Sequence, residues 1–201
     1  MSVLPHPCSL VRDDLQTSSQ PQESPVFTIV SPGPARWEKG IQLLLPALKL
    51  LKTDQFRCRI QWPDQIFDND GNELTKDEEH SEIISESLSS EQYRELLLSA
   101  DCIVLPYLRE AYFARISGIA VEAMLLGIPI IYTKDTWVAD MVSQFGAGLG
   151  IPSGDIEALG KSIDTLAEHP DLWKEEAEVK AESARLHFSE EKFQSLLWGI
   201  D

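Results

Sequence analysis

The sequence lacks most of the features that mark membrane, secreted and metal-binding proteins. No apolar run approaches the roughly 18 residues of a transmembrane helix, and the first residues, MSVLPHPCSLVRDD, show no signal-peptide pattern. The three cysteines are an odd count, and Cys58 and Cys102 fall in apparent strands, which predicts buried free thiols. The four histidines are scattered without metal-ligand spacing. These absences predict a cytoplasmic protein without a transmembrane segment, a disulfide framework or a metal site.

Basic residues are also scarce. The chain has 17 lysines and arginines against 33 acidic residues, and its net charge is −16. A field of that sign repels nucleic acid and anionic lipid, so we expect no nucleic-acid partner. A phosphate-bearing ligand would need a local cluster of positive groups. Neither the G-x-G-x-x-G fingerprint nor a Walker P-loop is present in the sequence, so NAD binding and ATP hydrolysis have no motif support.

The sequence does contain an alternation of short apolar strands with helical patterns. Residues 1–24 are rich in Pro, Ser and Gln, which is typical of a linker or flexible arm, and residues 25–201 form one predicted domain. The strands are Val/Ile/Leu-rich and helices separate them, which indicates a parallel sheet covered on both faces. We predict strands at 26–30, 56–62, 101–107, 128–133 and 146–151, a polar excursion at 63–80, and helices at 38–52, 89–100, 117–127, 136–143, 155–168, 171–187 and 189–198. The expected fold class is α/β, a single Rossmann-like doubly wound parallel sheet with a helical C-terminal arm.

Three loops of this predicted fold carry a concentration of positive charge. They follow strands, at 31–40, 108–118 and 134–137, and ligands of open parallel sheets bind beyond the carboxyl ends of the strands. Glycines let the backbone approach a ligand closely, and helix N-termini offer free N–H groups. Five of the 17 basic residues fall on this predicted edge: Arg36, Lys39, Arg109, Arg115 and Lys134. The convergence predicts a site for a diphosphate.

One carboxylate stands out on the helix predicted at 117–127. Glu122 has apolar neighbours on every side of that helix, and a helix that is apolar all round is buried. A buried carboxylate needs a partner, because desolvating the bare charge is costly. Two partners fit equally well on physical grounds: a basic side chain from the loops, or the paired hydroxyls of a ribose.

Four stretches of the chain, in this order, resemble one known family. ARWEKGIQLLLPAL, SADCIVLPY, SGIAVEAMLLGIPII and GDIEALGKSIDTLAEHP are similar to the C-terminal, nucleotide-sugar-binding domain of the GT-B glycosyltransferases of family 4, also called glycosyltransferase group 1. The likeness spans about residues 26–185. It implies that Arg36 and Lys39 hold the donor diphosphate and that the amides of residues 117–119 contact its distal phosphate. Glu122 matches the second glutamate of the E-x7-E motif, which implies that it binds the ribose. The predicted site residues are Gly33, Arg36, Lys39, Arg115, Ser117, Gly118, Ile119 and Glu122.

The chain departs from the family in two respects. The first glutamate of E-x7-E would fall at position 114, where this chain has Ala114. In the family that carboxylate contacts the donor sugar, so sugar recognition is altered or the activity is lost. The second departure is length, because a GT-B enzyme closes two Rossmann-like domains over its substrates. We therefore expect that an N-terminal acceptor domain, in cis or in trans, supplies the catalytic residue.

The resemblance leads to one expected function and two alternatives. We expect the donor-binding domain of a retaining, metal-independent hexosyltransferase of polysaccharide biosynthesis, with a UDP- or GDP-sugar as substrate and no cofactor. The chain alone would be inactive, and the missing half could hold the enzyme at the inner membrane. The alternatives are a catalytically inactive nucleotide-binding or regulatory module, and half of a sugar-nucleotide epimerase.

Overall fold

A single parallel sheet organises the described part of the chain. The computed structural model describes residues 26–53, 55–68 and 70–198, and the arm predicted at 1–24 lies outside them. Within this part, six parallel strands follow the order β3-β2-β1-β4-β5-β6. The strands are β1 Phe27–Ser31, β2 Phe56–Gln61, β3 Glu82–Ile84, β4 Cys102–Leu105, β5 Ile130–Thr133 and β6 Gly148–Ile151. This is the strand order of the Rossmann fold, and it confirms the predicted fold class.

Helices connect the strands and cover both faces of the sheet. Their bounds are α1 Ile41–Leu48, α2 Ser90–Leu98, α3 Arg109–Tyr112, α4 Gly118–Leu126, α5 Trp137–Phe145, α6 Ile156–Glu168, α7 Pro170–His187 and α8 Glu190–Trp198. The last helices confirm the helical C-terminal arm of the prediction. Among the described residues, none of these helices combines the length and the apolar character needed to cross a bilayer.

The core has two parts, one on each face of the sheet. Successive residues of β4 alternate between them: Cys102 and Val104 pack with α1 and α6, whereas Ile103 and Leu105 pack with α4, α5 and α7. This alternation follows from the pleat of a strand, whose side chains point to opposite faces in turn. Cys58 and Cys102 are buried free thiols, as predicted. Burial on both faces explains why the strands are continuously apolar.

The structure corrects the sequence-based prediction in two places, a helix that is divided and a strand that was missed. The helix predicted at 38–52 is divided, because a short 3-10 turn at Trp37–Lys39 ends at Gly40, whose φ of 78° is left-handed, before α1 begins. Pro46 lies inside α1, which ends two residues later. The strand β3 was not predicted. It is only three residues long and lies at the edge of the sheet, with one exposed and two half-buried residues, so its apolar run of two isoleucines is too short to indicate a strand.

Two loops meet where the strand order reverses, between β1 and β4. The first loop, residues 32–40, follows β1, and the second loop, residues 106–117, follows β4. Gly40 lies directly against the second loop, because a Cβ at this position would overlap the carbonyl oxygen of Pro106. The amide of Leu108 also donates to the carbonyl oxygen of Glu38 at 3.0 Å. Both loops are therefore held together at the carboxyl edge of the sheet, where Rossmann folds bind ligands.

Candidate functional site

A cleft of about 910 Å³ opens at this edge of the sheet. Its lining includes Gly33 and Lys39 from the first loop, and Ile119 and Glu122 from α4. The opposite wall comes from α2 and the residues before it. The volume is in the range of small-molecule sites, roughly 300–1,000 Å³.

Gly33 lies at the narrowest point between the first loop and α4. Its φ is 72°, and a Cβ added here would come 2.8 Å from Cδ1 of Ile119 and 3.0 Å from Nζ of Lys39. A side chain at this position would therefore be strained and would crowd both neighbours. The glycine keeps the backbone of the first loop, the Lys39 ammonium and the beginning of α4 within reach of one ligand.

Lys39 lies in a concentration of positive charge. The pKa of Lys39 is lowered from 10.5 to about 8, mainly by burial; Arg36 and Arg115 contribute to this shift, and Glu38 opposes it. Arg36 itself is 3.8 Å from Glu38, between Nη1 and Oε1. An ammonium that is desolvated beside other cations is destabilised, and an anion placed next to it would relieve that cost. The cluster is thus suited to a multiply charged anion such as a diphosphate.

The N-terminus of α4 faces the same region. Ser117 is buried and caps the helix, because its Oγ accepts a hydrogen bond from the amide of Ala120 at 3.2 Å. The Ser117 Oγ is also 3.3 Å from the hydroxyl of Tyr107. At Gly118, the first helical residue, a Cβ would meet open space. The free N–H groups of this first turn and the helix dipole both favour negative charge.

Stacked aromatic rings stabilise the second loop. Tyr107 and Tyr112 stack with their ring centroids 3.9 Å apart, and the guanidinium of Arg115 lies 5.1 Å from the centroid of Tyr112. Stacking on the ring stabilises a cation modestly and restricts its position. Arg115 is therefore held beside Tyr112, close enough for its charge to lower the pKa of Lys39.

Glu122 has a partner that the sequence did not indicate. The hydroxyl of Tyr93, on α2, donates a hydrogen bond to Oε2 of Glu122 at 2.8 Å. Burial raises the pKa of Glu122, and the hydrogen bond from Tyr93 opposes that shift. The two predicted partners were a basic loop residue and a ribose, and the structure shows a third, a neutral donor. A carboxylate held in this way can still accept hydrogen bonds from a ligand, since its two oxygens have about four acceptor positions.

The structure brings the eight predicted site residues to one region in three groups. Four line the cleft: Gly33, Lys39, Ile119 and Glu122. Arg36 and Arg115 act on Lys39 electrostatically, and Ser117 and Gly118 begin α4.

The two remaining basic residues of the predicted edge contact other parts of it. Arg109 lies over the ring of Phe113, 5.2 Å from its centroid, and Lys134 lies beside Gly150 of β6. Within the described ranges, no group of three or more His, Cys, Asp or Glu side chains is placed to hold a metal ion.

One wall of the cleft was missed by the sequence analysis. It is formed by Gln61, at the end of β2, and by residues before and on α2, including Ser89 and Tyr93. These residues follow β2 and β3, so their place at the carboxyl edge depends on recognising β3 as a strand. The capping box at Ser89 and Gln92 marks where α2 begins, and a helix was predicted from residue 89, but without β3 nothing placed this helix at the cleft.

The fold and the site together define a Rossmann-like domain with a cleft and a cluster of positive charge at the switch point of the sheet. Comparison with known families then gives the particular family. Residues 13–186 match the family described as glycosyl transferases group 1, and the chain belongs to this family. This confirms the resemblance recognised in the sequence.

The matches to three individual relatives cover most of this chain but only part of each relative. It is 30% identical over 141 residues to glycosyltransferase TuaC of Bacillus subtilis (strain 168), whose name assigns it to teichuronic acid biosynthesis; the match covers 69% of this chain and 32% of TuaC. Among solved structures, sucrose-phosphate synthase of Thermosynechococcus elongatus has a TM-score of 0.67 at 17% identity, covering 98% of this chain and 48% of that one. Anabaena HepE in complex with UDP-glucose has a TM-score of 0.65 at 15% identity, covering 87% and 49%.

The match covers only part of each of these three relatives. The chain spans about a third of the length of the curated relative and about half the length of the two solved proteins. At such low identities, the likeness to the solved structures shows the fold alone.

Proposed function

We propose that this chain is the donor-binding domain of a retaining, metal-independent glycosyltransferase that uses a UDP- or GDP-sugar. The observation that carries the proposal is that Lys39, the N-terminus of α4 and Glu122 share one cleft at the switch point of the sheet. A cation, a row of free amides and a carboxylate are the groups that a nucleoside diphosphate requires.

The diphosphate would lie between the first loop and α4. Gly33 lets the backbone of the first loop come close to the Lys39 ammonium and to Ile119 at the beginning of α4. Arg36 and Arg115 add positive charge nearby. In a transfer reaction the bond from the sugar to the diphosphate breaks and negative charge grows on the leaving phosphate. Fixed positive groups that are aimed at that charge lower the barrier electrostatically, so the domain would contribute leaving-group stabilisation.

The ribose would lie one helical turn further along α4. Glu122 is four residues beyond Gly118 on the same helix and lines the same cleft. The two vicinal hydroxyls of a ribose can each donate a hydrogen bond to its carboxylate. Tyr93 supports this role, because its hydrogen bond favours the ionised form of Glu122, which accepts such bonds better than a protonated carboxyl group.

We also propose that a complete enzyme contains a second domain. Since the chain spans half or less of TuaC, sucrose-phosphate synthase and HepE, we propose that a second Rossmann-like domain supplies the acceptor side and the catalytic residue. The retaining stereochemistry and the metal independence rest on the family resemblance. The cation cluster supports metal independence, because it can supply the charge that a bound metal would otherwise provide.

Compounds that correspond to separate parts of the nucleotide can test the proposed site. Binding of UDP, GDP, uridine and pyrophosphate to the 201-residue chain is measured by calorimetry. Lys39→Ala removes a charge-assisted contact to the diphosphate, and we expect UDP and pyrophosphate to bind about 10- to 100-fold more weakly. Glu122→Ala removes the ribose contact, so UDP and uridine should weaken whereas pyrophosphate should not.

Lys134→Ala is the matched control, since this exposed lysine lies beside β6 rather than in the cleft. Its loss should leave all four affinities unchanged. If neither UDP nor GDP binds the wild-type chain, or if the Lys39 and Glu122 variants lose the same ligands, the proposed site is wrong.

A second candidate function is a nucleotide-binding module without catalysis. The observation that favours it is Ala114, an exposed small residue in the second loop, where the resemblance places a carboxylate that contacts the donor sugar. Such a module would bind UDP or GDP as described above and would not discriminate between the free nucleotide and the nucleotide-sugar. Adding the N-terminal half from the native source and assaying sugar release separates the two: turnover supports the transferase, and nucleotide binding without turnover supports the module.

A further inference from the structure

Gln61 is a buried polar residue in the wall of the cleft, and its side-chain oxygen has no hydrogen-bond partner among the described residues. It is the last residue of β2 and is only 7% exposed. Its backbone carbonyl is occupied, because it accepts a hydrogen bond from the amide of Ala35 at 2.8 Å. Its side chain lines the same cleft as Lys39 and Glu122. A buried amide oxygen without a partner costs stability, so its presence at a cleft calls for a functional reason.

The position of Gln61 indicates which part of a ligand it would meet. In the sheet, β2 and β4 lie on opposite sides of β1. The second loop, which follows β4, borders the diphosphate end of the cleft through Arg115 and the start of α4. Gln61 lies on the other side, towards β3 and the residues that precede α2, including Leu88 and Ser89. The end of the nucleotide that is remote from the sugar therefore reaches Gln61.

The chemistry of the side chain agrees with this position. A primary amide offers a donor and an acceptor side by side. The edges of uracil and guanine present the complementary pair, an N–H next to a carbonyl oxygen. A diphosphate, by contrast, offers acceptors only. The amide can rotate about its last torsion, so it can present either group to the base.

We infer that Gln61 is a specificity-determining residue whose side-chain amide hydrogen-bonds the nucleobase of the donor. This inference rests on the proposed function, since it requires that the cleft binds a nucleoside diphosphate. The inference assigns recognition of the base to Gln61, a position that no sequence motif indicated. The same contact would satisfy the amide only when the ligand is bound.

If Gln61 binds the base, replacing its amide should raise the stability of the unliganded chain and weaken nucleotide binding. Gln61→Leu replaces the amide and its unpaired oxygen by an apolar group of similar volume, so the unliganded chain should unfold at a temperature about 3 °C higher. Calorimetry should show UDP or GDP, whichever binds the wild type, binding roughly tenfold more weakly, which is about 1.4 kcal/mol. Pyrophosphate and ribose 5-phosphate, which lack the base, should bind with unchanged affinity. Gln61→Met serves as a second variant of similar length if the leucine variant does not fold.

Gln42→Leu is the matched control. Oε1 of Gln42 is also buried without a partner among the described residues, but Gln42 lies on α1 and does not line the cleft. This variant should gain stability like Gln61→Leu and keep the nucleotide affinity of the wild type.

Each outcome decides the inference. A loss of UDP or GDP affinity at Gln61 alone, with the base-free ligands unaffected, supports it. Unchanged nucleotide affinity in the Gln61 variants overturns it, and so does an equal loss for ribose 5-phosphate, which would assign the amide to the sugar. If the wild-type chain binds neither UDP nor GDP, the proposed function fails, and that result is distinct from a wild type that binds with no effect of Gln61.

Discussion

The two loops at the switch point of the sheet end at the same edge but are held in different ways. The first loop is fixed through its backbone: Gly33 contacts α4, Ala35 bonds to β2 and Gly40 contacts Pro106. The second loop is buried at both ends, whereas its outer turn exposes Phe113 at 61% and Ile116 at 40%. The end of the cleft proposed to bind the diphosphate is therefore fixed by contacts with the sheet and α4. The part that faces outward, next to Ala114, presents apolar side chains to solvent.

The largest expected effect tests how firmly the first loop is fixed. Gly40→Ala places a Cβ on the carbonyl oxygen of Pro106 in a left-handed backbone, so the loops must separate or the backbone must change conformation. We expect a loss of about 3 kcal/mol or more in the free energy of unfolding, measured with urea.

Gly71→Ala separates the two causes of that loss. Gly71 also has a left-handed φ, of 84°, but a Cβ there would meet nothing within 4 Å. Its substitution should cost only about 1 kcal/mol from backbone strain. Equal losses for the two variants would mean that the contact with Pro106 does not hold the loops together.

The second largest effect is expected in the pH dependence of UDP binding, through the charge of Lys39. Below about pH 8 Lys39 is protonated, and above it the ammonium loses its charge because the pKa is lowered by burial and by Arg36. A diphosphate binds the charged form, so UDP affinity should fall as the pH rises from 7 to 9, by up to about tenfold per pH unit above the pKa. Calorimetry across this range measures the effect.

Lys39→Arg provides the comparison for the pH series. A guanidinium stays protonated over the whole range, so this variant should lose the step while retaining a cation at the site. Any ionisation of the ligand itself affects both proteins equally. A step of the same size in the arginine variant would show that Lys39 is not the titrating group.

The smallest effect is expected in the second loop. Arg115→Ala removes an exposed guanidinium that stacks on Tyr112, and urea unfolding should show a loss of no more than about 1 kcal/mol. Because Arg115 lowers the pKa of Lys39, the step in UDP affinity should move to higher pH. A loss of stability as large as that of Gly40→Ala would contradict the difference between the loops.

The main features of the fold were predictable because they are local. Strands such as β4 and β5 are continuous apolar runs, and Gly127 ends α4 in a left-handed conformation, so short segments of sequence determine these elements. The concentration of glycine and positive charge in the first loop was also visible in the sequence, since Gly33, Arg36 and Lys39 lie within seven residues of one another. By contrast, β3 lies at an edge and has only three residues, and the loop that follows it was therefore not placed at the site.

The sequence by itself determined an α/β chain with buried parallel strands, a cationic loop after β1 and a carboxylate on a buried helix. These properties depend on periodicity and on residue type within single elements. Only the tertiary structure decided that Tyr93 would bond Glu122, 29 residues away, and that Gln61 would line the same cleft as Lys39. The physical reason is that these contacts depend on how α2 packs across the sheet edge, and the packing of distant elements leaves no pattern within either of them.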